Sequence, residues 1–271
     1  MLKENMQYSE IKSIDQYNKR MAESILDKAF FIDKIDCDVI VDFGCANGDM
    51  LSFISFVSNH KTLVGYDIDP HMILLAEEKL SQGETPYYLF SFWDEMVETL
   101  IHLKDRGDKI CLVLSSVLHE VYHYSTPTDI DLFWEKIWSE SFFDNIVIRD
   151  MIPSFSMERS SDINHVANIF RNKEYSMLLE DFQKHHGSIH SNKNLIHFLM
   201  KYKYKEPNWE REVKENYFPI YYESLLALLS ENYEIIYNNQ YKLPHIWRNV
   251  KKDFGINMRD NTHLQLILEK K

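Results

Sequence analysis

From residue 39 onward, short apolar runs alternate with amphipathic stretches. Val39-Ile40-Val41 leads into Asp42, residues 62–66 lead into Asp67, and apolar runs at 87–92, 109–117 and 145–152 follow. Runs of this length, bounded by turn formers, predict buried strands. Between them, apolar residues recur with helical period at 50–57, at 70–80 (Met72, Ile73, Leu75, Ala76, Leu80) and at 129–140 (Ile130, Phe133, Trp134, Ile137, Trp138). Strands alternating with helices predict an α/β fold with a mostly parallel sheet and helices on both faces.

The rhythm breaks at two places. Before residue 37 it predicts helix, most clearly at 13–31, where Ile14, Tyr17, Met21, Ile25 and Ala29 share a face. Residues 1–36 are therefore expected as N-terminal helix packed on the sheet edge. After the fifth strand, residues 153–216 are polar and far exceed an ordinary connection, with helical patches at 162–170, 175–184 and 194–202. Their position predicts a helical cap over the acceptor side of the sheet, with a surface elaboration or a dimer contact as the plainer alternative. A helix at 219–229 and strands at 233–241 and 263–268, the two strands joined by a link longer than the minimum, complete a core formed by 37–152 and 217–271.

The first strand ends in the loop Asp42-Phe43-Gly44-Cys45-Ala46-Asn47-Gly48. Glycines suit a turn where a ligand nears the backbone, because a Cβ would collide with it. The helix that follows offers unpaired N–H groups and the positive end of its dipole. Asp67 closes the second strand 25 residues after Asp42, where the acid of a βαβ unit receives a ribose hydroxyl pair.

D-x-G-x-x-x-G, followed by a strand ending Gly65-Tyr66-Asp67-Ile68-Asp69-Pro70, resembles the class I S-adenosylmethionine-dependent methyltransferases. The family pattern is nearer D-x-G-x-G-x-G, and Ala46 stands at its middle glycine. The resemblance covers 37–152 and 217–271, and it implies that residues 1–36 form an N-terminal helical lid over the cofactor or acceptor, with Tyr8 and Tyr17 reaching the pocket. It implies a Rossmann-like sheet of seven strands with an antiparallel last strand, and S-adenosyl-L-methionine as cofactor with S-adenosyl-L-homocysteine as product. Carried onto this sequence, it implies that Gly44, Cys45, Ala46 and Gly48 approach the methionine and ribose portions. Asp42 would anchor the loop or the cofactor's amino group, and Asp67, followed by Ile68, would bind the ribose hydroxyls. After the third strand, Asp94 would accept from the adenine amino group and Trp93 would stack on the ring; a loop aspartate and a core tryptophan are the plainer alternatives.

The second informative stretch, residues 115–124, reads S-S-V-L-H-E-V-Y-H-Y. Ligands of such sheets lie beyond the carboxyl ends of the strands. That brings Ser115 and Ser116 to the cofactor, and His119 and Glu120 to the transferred methyl group. Many small-molecule members carry a similar L-H-H or L-H-E here. A histidine titrating near neutrality suits proton removal from a hydroxyl or amine, although it equally suits a structural donor holding the loop expected here. His119 is thus the candidate catalytic base, with Glu120 its orienter or substitute.

A net charge of −12 disfavours broad contact with nucleic acid. A small-molecule acceptor methylated on O or N is therefore expected; an RNA or nucleotide methyltransferase and a non-catalytic cofactor-binding regulator stay as alternatives. The Asn/Asp-Pro-Pro-Tyr/Phe signature of DNA-base methyltransferases is absent after the fourth strand, and a dehydrogenase would show G-x-G-x-x-G. Cys37, Cys45 and Cys111 read as buried apolar residues, and His185, His186, His190 and His197 lack zinc-type spacing, so no metal is expected. Lys201-Tyr202-Lys203-Tyr204-Lys205 alternates as in single-strand binders, but Glu206, Glu210 and Glu212 dilute it and a solvated amphipathic segment is expected. Without a membrane-length apolar run or a signal-peptide pattern, the expected location is cytoplasmic. The oligomeric state is left open.

Overall fold

The computed structural model describes residues 24–58, 61–139, 142–204 and 208–271. Seven strands, β1 (Val39–Phe43), β2 (Thr62–Tyr66), β3 (Tyr87–Phe90), β4 (Ile110–Ser115), β5 (Phe143–Asp150), β6 (Tyr233–Tyr241) and β7 (His263–Lys270), form one sheet in the order β3-β2-β1-β4-β5-β7-β6. The first five pair in parallel, and β7 enters antiparallel between β5 and β6. This is the Rossmann-like sheet with an antiparallel last strand that the sequence predicted. The chain winds outward from β1 to β3 and then returns to the other side of β1. The carboxyl ends of β1 and β4 therefore flank the switch point where such sheets bind ligands.

β1 and β4 are buried along their whole length, as parallel strands covered on both faces must be. Alternate residues divide between two layers. Val41, Leu112, Leu114 and Ile148 pack against α4 (Trp93–Asp105), α6 (Pro127–Ser139) and α11 (Tyr222–Leu229). Ile40, Cys111, Val113 and Val147 pack against α2 (Asp49–Val57) and α3 (Pro70–Leu80). Asp69 caps α3 by accepting from the His71 N–H, with Pro70 in the first turn. All three cysteines are buried and free.

The insertion carries α7 (Ile163–Arg171), α8 (Ser176–His186), α9 (Asn192–Lys201) and α10 (Trp209–Glu212) around an apolar cluster of its own. That cluster is completed from elsewhere. Residues 242–262, read in sequence as a link, hold α12 (Pro244–Phe254), whose Trp247, Val250 and Phe254 pack among the insertion's side chains.

Other expectations are corrected. Of the helix expected at 13–31, the described part is helical only at α1 (Ile25–Lys28); Tyr8, Tyr17 and the rest up to residue 23 lie outside the described residues. His119 and Glu120 sit not in a loop but on a short helix, α5 (Leu118–Tyr124). Lys201 and Tyr202, expected in a solvated segment, are buried, and Lys203 pairs with Asp253 at 2.6 Å; Lys205 and Glu206 lie outside the described residues. Among the described residues, no helix is long and apolar enough to cross a membrane.

Candidate functional site

The loop after β1 is shaped by left-handed backbone. Gly44 and Gly48 have φ of 78° and 75°, and a Cβ on either would come within 2.8 Å of Val117 or Ala76. Ala46 also lies in this region, at φ 45°, where a side chain costs roughly 1–2 kcal/mol. Asp67 holds it there: its Oδ2 accepts from the Ala46 N–H at 2.8 Å while Oδ1 accepts from the Asp69 N–H at 2.9 Å. Half of the carboxylate's acceptor capacity remains.

A pocket opens between this loop, α1 and the end of β4, with Lys28, Asp42, Asn47 and Ser115 in its wall beside the Gly44–Ala46 backbone. Asn47 Nδ2 and Ser115 Oγ are buried without a hydrogen-bond partner among the described residues, a costly state that a polar ligand would relieve. Lys28 is 4% exposed, and burial lowers its pKa to about 8. Burial pushes Asp42 up to about 7, against the pull of Lys28 and with help from Asp67.

Lys28 is the residue that sequence reasoning missed. It lies three positions after Ile25, on the apolar face of the expected helix, and a charge on such a face was the available signal. Its neighbour Asp27 is pinned to the sheet: it accepts from Arg149 Nε and the Tyr241 hydroxyl, each at 2.7 Å, while Gln265 Nε2 donates to its carbonyl at 3.0 Å. Arg149 also donates to Ser116 Oγ at 2.9 Å, steadying Ser116 at φ 57°. One buried guanidinium thus sets both the lysine and the exit of β4.

The raised pKa of Asp42 has a thermodynamic consequence. Its carboxyl ionises near 3.8 when unfolded and near 7 when folded, so across that window the unfolded chain binds fewer protons and stability falls as pH rises. Asp42→Asn is expected to remove a decline on the order of a few kcal/mol. Thermal melts of both proteins at pH 4.5 and 8 check this; parallel pH dependence in the two would contradict it.

Beyond β4, His119 is buried between carboxylates. Asp150 Oδ1 lies 2.7 Å from its Nδ1, Asp150 Oδ2 accepts its backbone N–H at 3.2 Å, and Glu215 Oε1 lies 3.5 Å from its Nε2. Burial would lower the imidazole pKa, but Asp150 and then Glu215 hold it well above the ordinary value. In this setting the ring keeps its proton at neutral pH. Burial and the Glu215 charge raise Glu120 to about 7, against His119 and Arg211; its side chain keeps 35% exposure, which screens the effect, and meets Arg211 at 3.2 Å.

Glu215 arrives from the insertion. Lys201 donates to the backbone carbonyls of Glu212 and Glu215 and lies 3.9 Å from the Tyr217 ring centroid. The Tyr217 hydroxyl donates to Glu212. These contacts fix the turn that delivers Glu215 to the end of β4.

Of the remaining expected residues, all but Cys45 lie apart from this pocket wall. Trp93 packs edge-on against Phe43 and Tyr66, each at 6.0 Å, while Asp94 is exposed in the first turn of α4. Ile68 follows β2 and is half-buried. Gly48 caps α2, and Cys45 lines the pocket with a buried thiol.

No family model and no curated protein matches this chain. Among solved structures it is similar to a SAM-dependent methyltransferase from Methanosarcina mazei, at 14% identity over 89% of this chain and 96% of that one, with a TM-score of 0.48. One from Anabaena variabilis is 12% identical over 98% of both chains, TM-score 0.47. The plantazolicin methyltransferase BpumL in complex with SAH is 13% identical over 95% of this chain and 86% of that one, TM-score 0.47. At such identities and TM-scores these likenesses decide neither the reaction nor the acceptor.

Proposed function

We propose that this chain is an S-adenosylmethionine-dependent methyltransferase acting on an O or N atom of a small-molecule acceptor. The observation that carries the reading is the buried Lys28 ammonium and Asp42 carboxylate in the wall of one pocket at the glycine loop. An α-amino acid moiety has the complementary pair of charges: its carboxylate suits Lys28 and its ammonium suits Asp42. Asn47 Nδ2 and Ser115 Oγ fit the same polar moiety, and the remaining acceptor sites of Asp67 fit a ribose diol. A dinucleotide offers phosphates and no ammonium, which would set an anion against Asp42.

When bound, the cofactor supplies an electrophilic methyl group on its sulfonium. The protein's share is alignment and exclusion of water. Glu120, with a pKa near 7, is the better proton acceptor for a hydroxyl or amine. His119, which keeps its own proton, serves to position Glu215 and the start of α5. The net charge of −12 supports a small acceptor over nucleic acid.

Calorimetric titration with S-adenosylhomocysteine tests the reading. Binding is expected in the intact protein, and Lys28→Met and Asp42→Asn are each expected to weaken it roughly 10- to 100-fold, the worth of one charge-assisted hydrogen bond. A folded protein that binds neither cofactor nor product would sink the proposal. Label passing from the cofactor only into RNA, in a cell extract, would sink the small-molecule acceptor.

A further inference from the structure

Asp150 determines which nitrogen of His119 faces the site. It engages Nδ1 at 2.7 Å, so Nε2 faces Glu215 Oε1 across 3.5 Å. That separation is within ion-pair range yet long for a charge-assisted hydrogen bond, which closes to about 2.7–2.9 Å. Glu215 is 2% exposed and its Oε1 has no hydrogen-bond partner among the described residues. A nitrogen lone pair and a carboxylate oxygen facing each other repel unless a positive charge lies between them: the ring's second proton in the metal-free protein, or a cation that displaces it.

Glu120, the proton acceptor of the metal-free site, supplies a third arm when a cation binds. One ligand atom each from His119, Glu120 and Glu215 lies within 4.8 Å of the other two, close to the ~4.2 Å between opposite ligands that are each ~2.1 Å from one ion. A histidine whose second nitrogen is held by a carboxylate, as Asp150 holds this one, is the arrangement that orients an imidazole toward a metal. Charge points the same way. Glu212 and Glu215 face Arg211 and Lys201, Glu120 faces Arg211, and Asp150 faces the His119 ring; with the imidazole neutral, as a metal ligand must be, the four carboxylates and two cations leave two negative charges over. One divalent ion cancels them.

We propose that His119, Glu120 and Glu215 bind a first-row divalent cation at the end of β4. The mixed imidazole and carboxylate set suits Mn²⁺, Fe²⁺ or Zn²⁺ better than Mg²⁺. Sequence spacing gave no hint of it, because Glu215 comes from the insertion, 95 positions after Glu120.

The test is titration of metal-stripped full-length protein with Mn²⁺, following the electron paramagnetic resonance of the free ion, without cofactor. Its outcome is thereby separate from that of the methyltransferase reading. About one Mn²⁺ per chain is expected, displaced by Zn²⁺. Glu215→Gln and Glu120→Gln should each weaken binding at least tenfold, while the exposed Glu98→Gln should not. Circular dichroism checks the fold of each variant; should Glu215→Gln fail to fold, Glu120→Gln on the open rim carries the comparison. No Mn²⁺ or Zn²⁺ bound by the folded protein, or Mn²⁺ bound equally by the folded site variants, would overturn the site.

Discussion

Replacing Asp67 with alanine is expected to weaken S-adenosylhomocysteine binding by about two orders of magnitude or more. Two losses combine. A half-buried carboxylate that accepts both hydroxyls of a ribose contributes about 1.5–3 kcal/mol per charge-assisted bond. The same side chain also holds the Ala46 N–H at 2.8 Å, keeping an alanine in left-handed backbone. Without that tether the loop has reason to relax toward ordinary φ, closing the approach that Gly44 and Gly48 leave open. Thermal shift offers a simple readout beside calorimetry. Ligand at 100 times its Kd stabilises by about 2.7 kcal/mol, roughly 5–10 °C for a chain of this size. The intact protein should show that rise and Asp67→Ala should not. A variant that keeps its affinity within threefold would remove Asp67 from the cofactor site.

The sheet was legible because its strands are buried on both faces. Full burial produces runs such as Val39-Ile40-Val41 that are hard to mistake, and helices of regular period separate them. The glycine loop was legible for a related reason: its residue types answer to backbone geometry, which is local. Ala46 is the instructive exception. By residue type it departs from the loop pattern, yet it adopts the positive φ of the glycine it replaces, at a cost that the Asp67 contact offsets.

The parts that escaped sequence reasoning depend on contacts between distant segments. Lys28 is buried because Arg149, Tyr241 and Gln265, on β5, β6 and β7, grip the residue beside it. Glu215 meets His119 because Lys201, itself read as solvated, folds the 212–215 turn onto α9. Helix α12 is a different kind of miss. Pro244 at its first turn, apolar positions 247, 250 and 254, and Gly255 at φ 67° closing it were local signals. The run was read as a link because the strands on either side already completed the sheet, and only the insertion's core gives its apolar face a destination.

The largest effect on stability is expected from Asp150→Ala, at roughly 3–5 kcal/mol, which lowers Tm by about 6–20 °C. Asp150 is 0% exposed, and besides the His119 ring and backbone it accepts from the Met151 N–H at 2.7 Å. Truncation leaves two backbone donors and an imidazole buried without their acceptor. The effect has a defined pH window. Burial would raise the Asp150 pKa, but His119 holds it below its ordinary 3.8; that contribution is present above 3.8 and is lost as pH falls through the lowered folded value. His119 has the opposite sign. Its raised pKa contributes fully below the ordinary 6.5 and is lost as pH rises through the folded value. The gap between intact protein and variant should therefore be widest between about pH 4 and 6.5 and shrink on both sides. Urea unfolding in metal-free buffer at pH 3, 5.5 and 9.5 measures it. Asp150→Asn, which keeps an acceptor and loses the charge, should fall between the two proteins at pH 5.5. A gap below about 1 kcal/mol there, or one that does not change with pH, would mean that the buried His119–Asp150 pair is not what holds α5 to the end of β5.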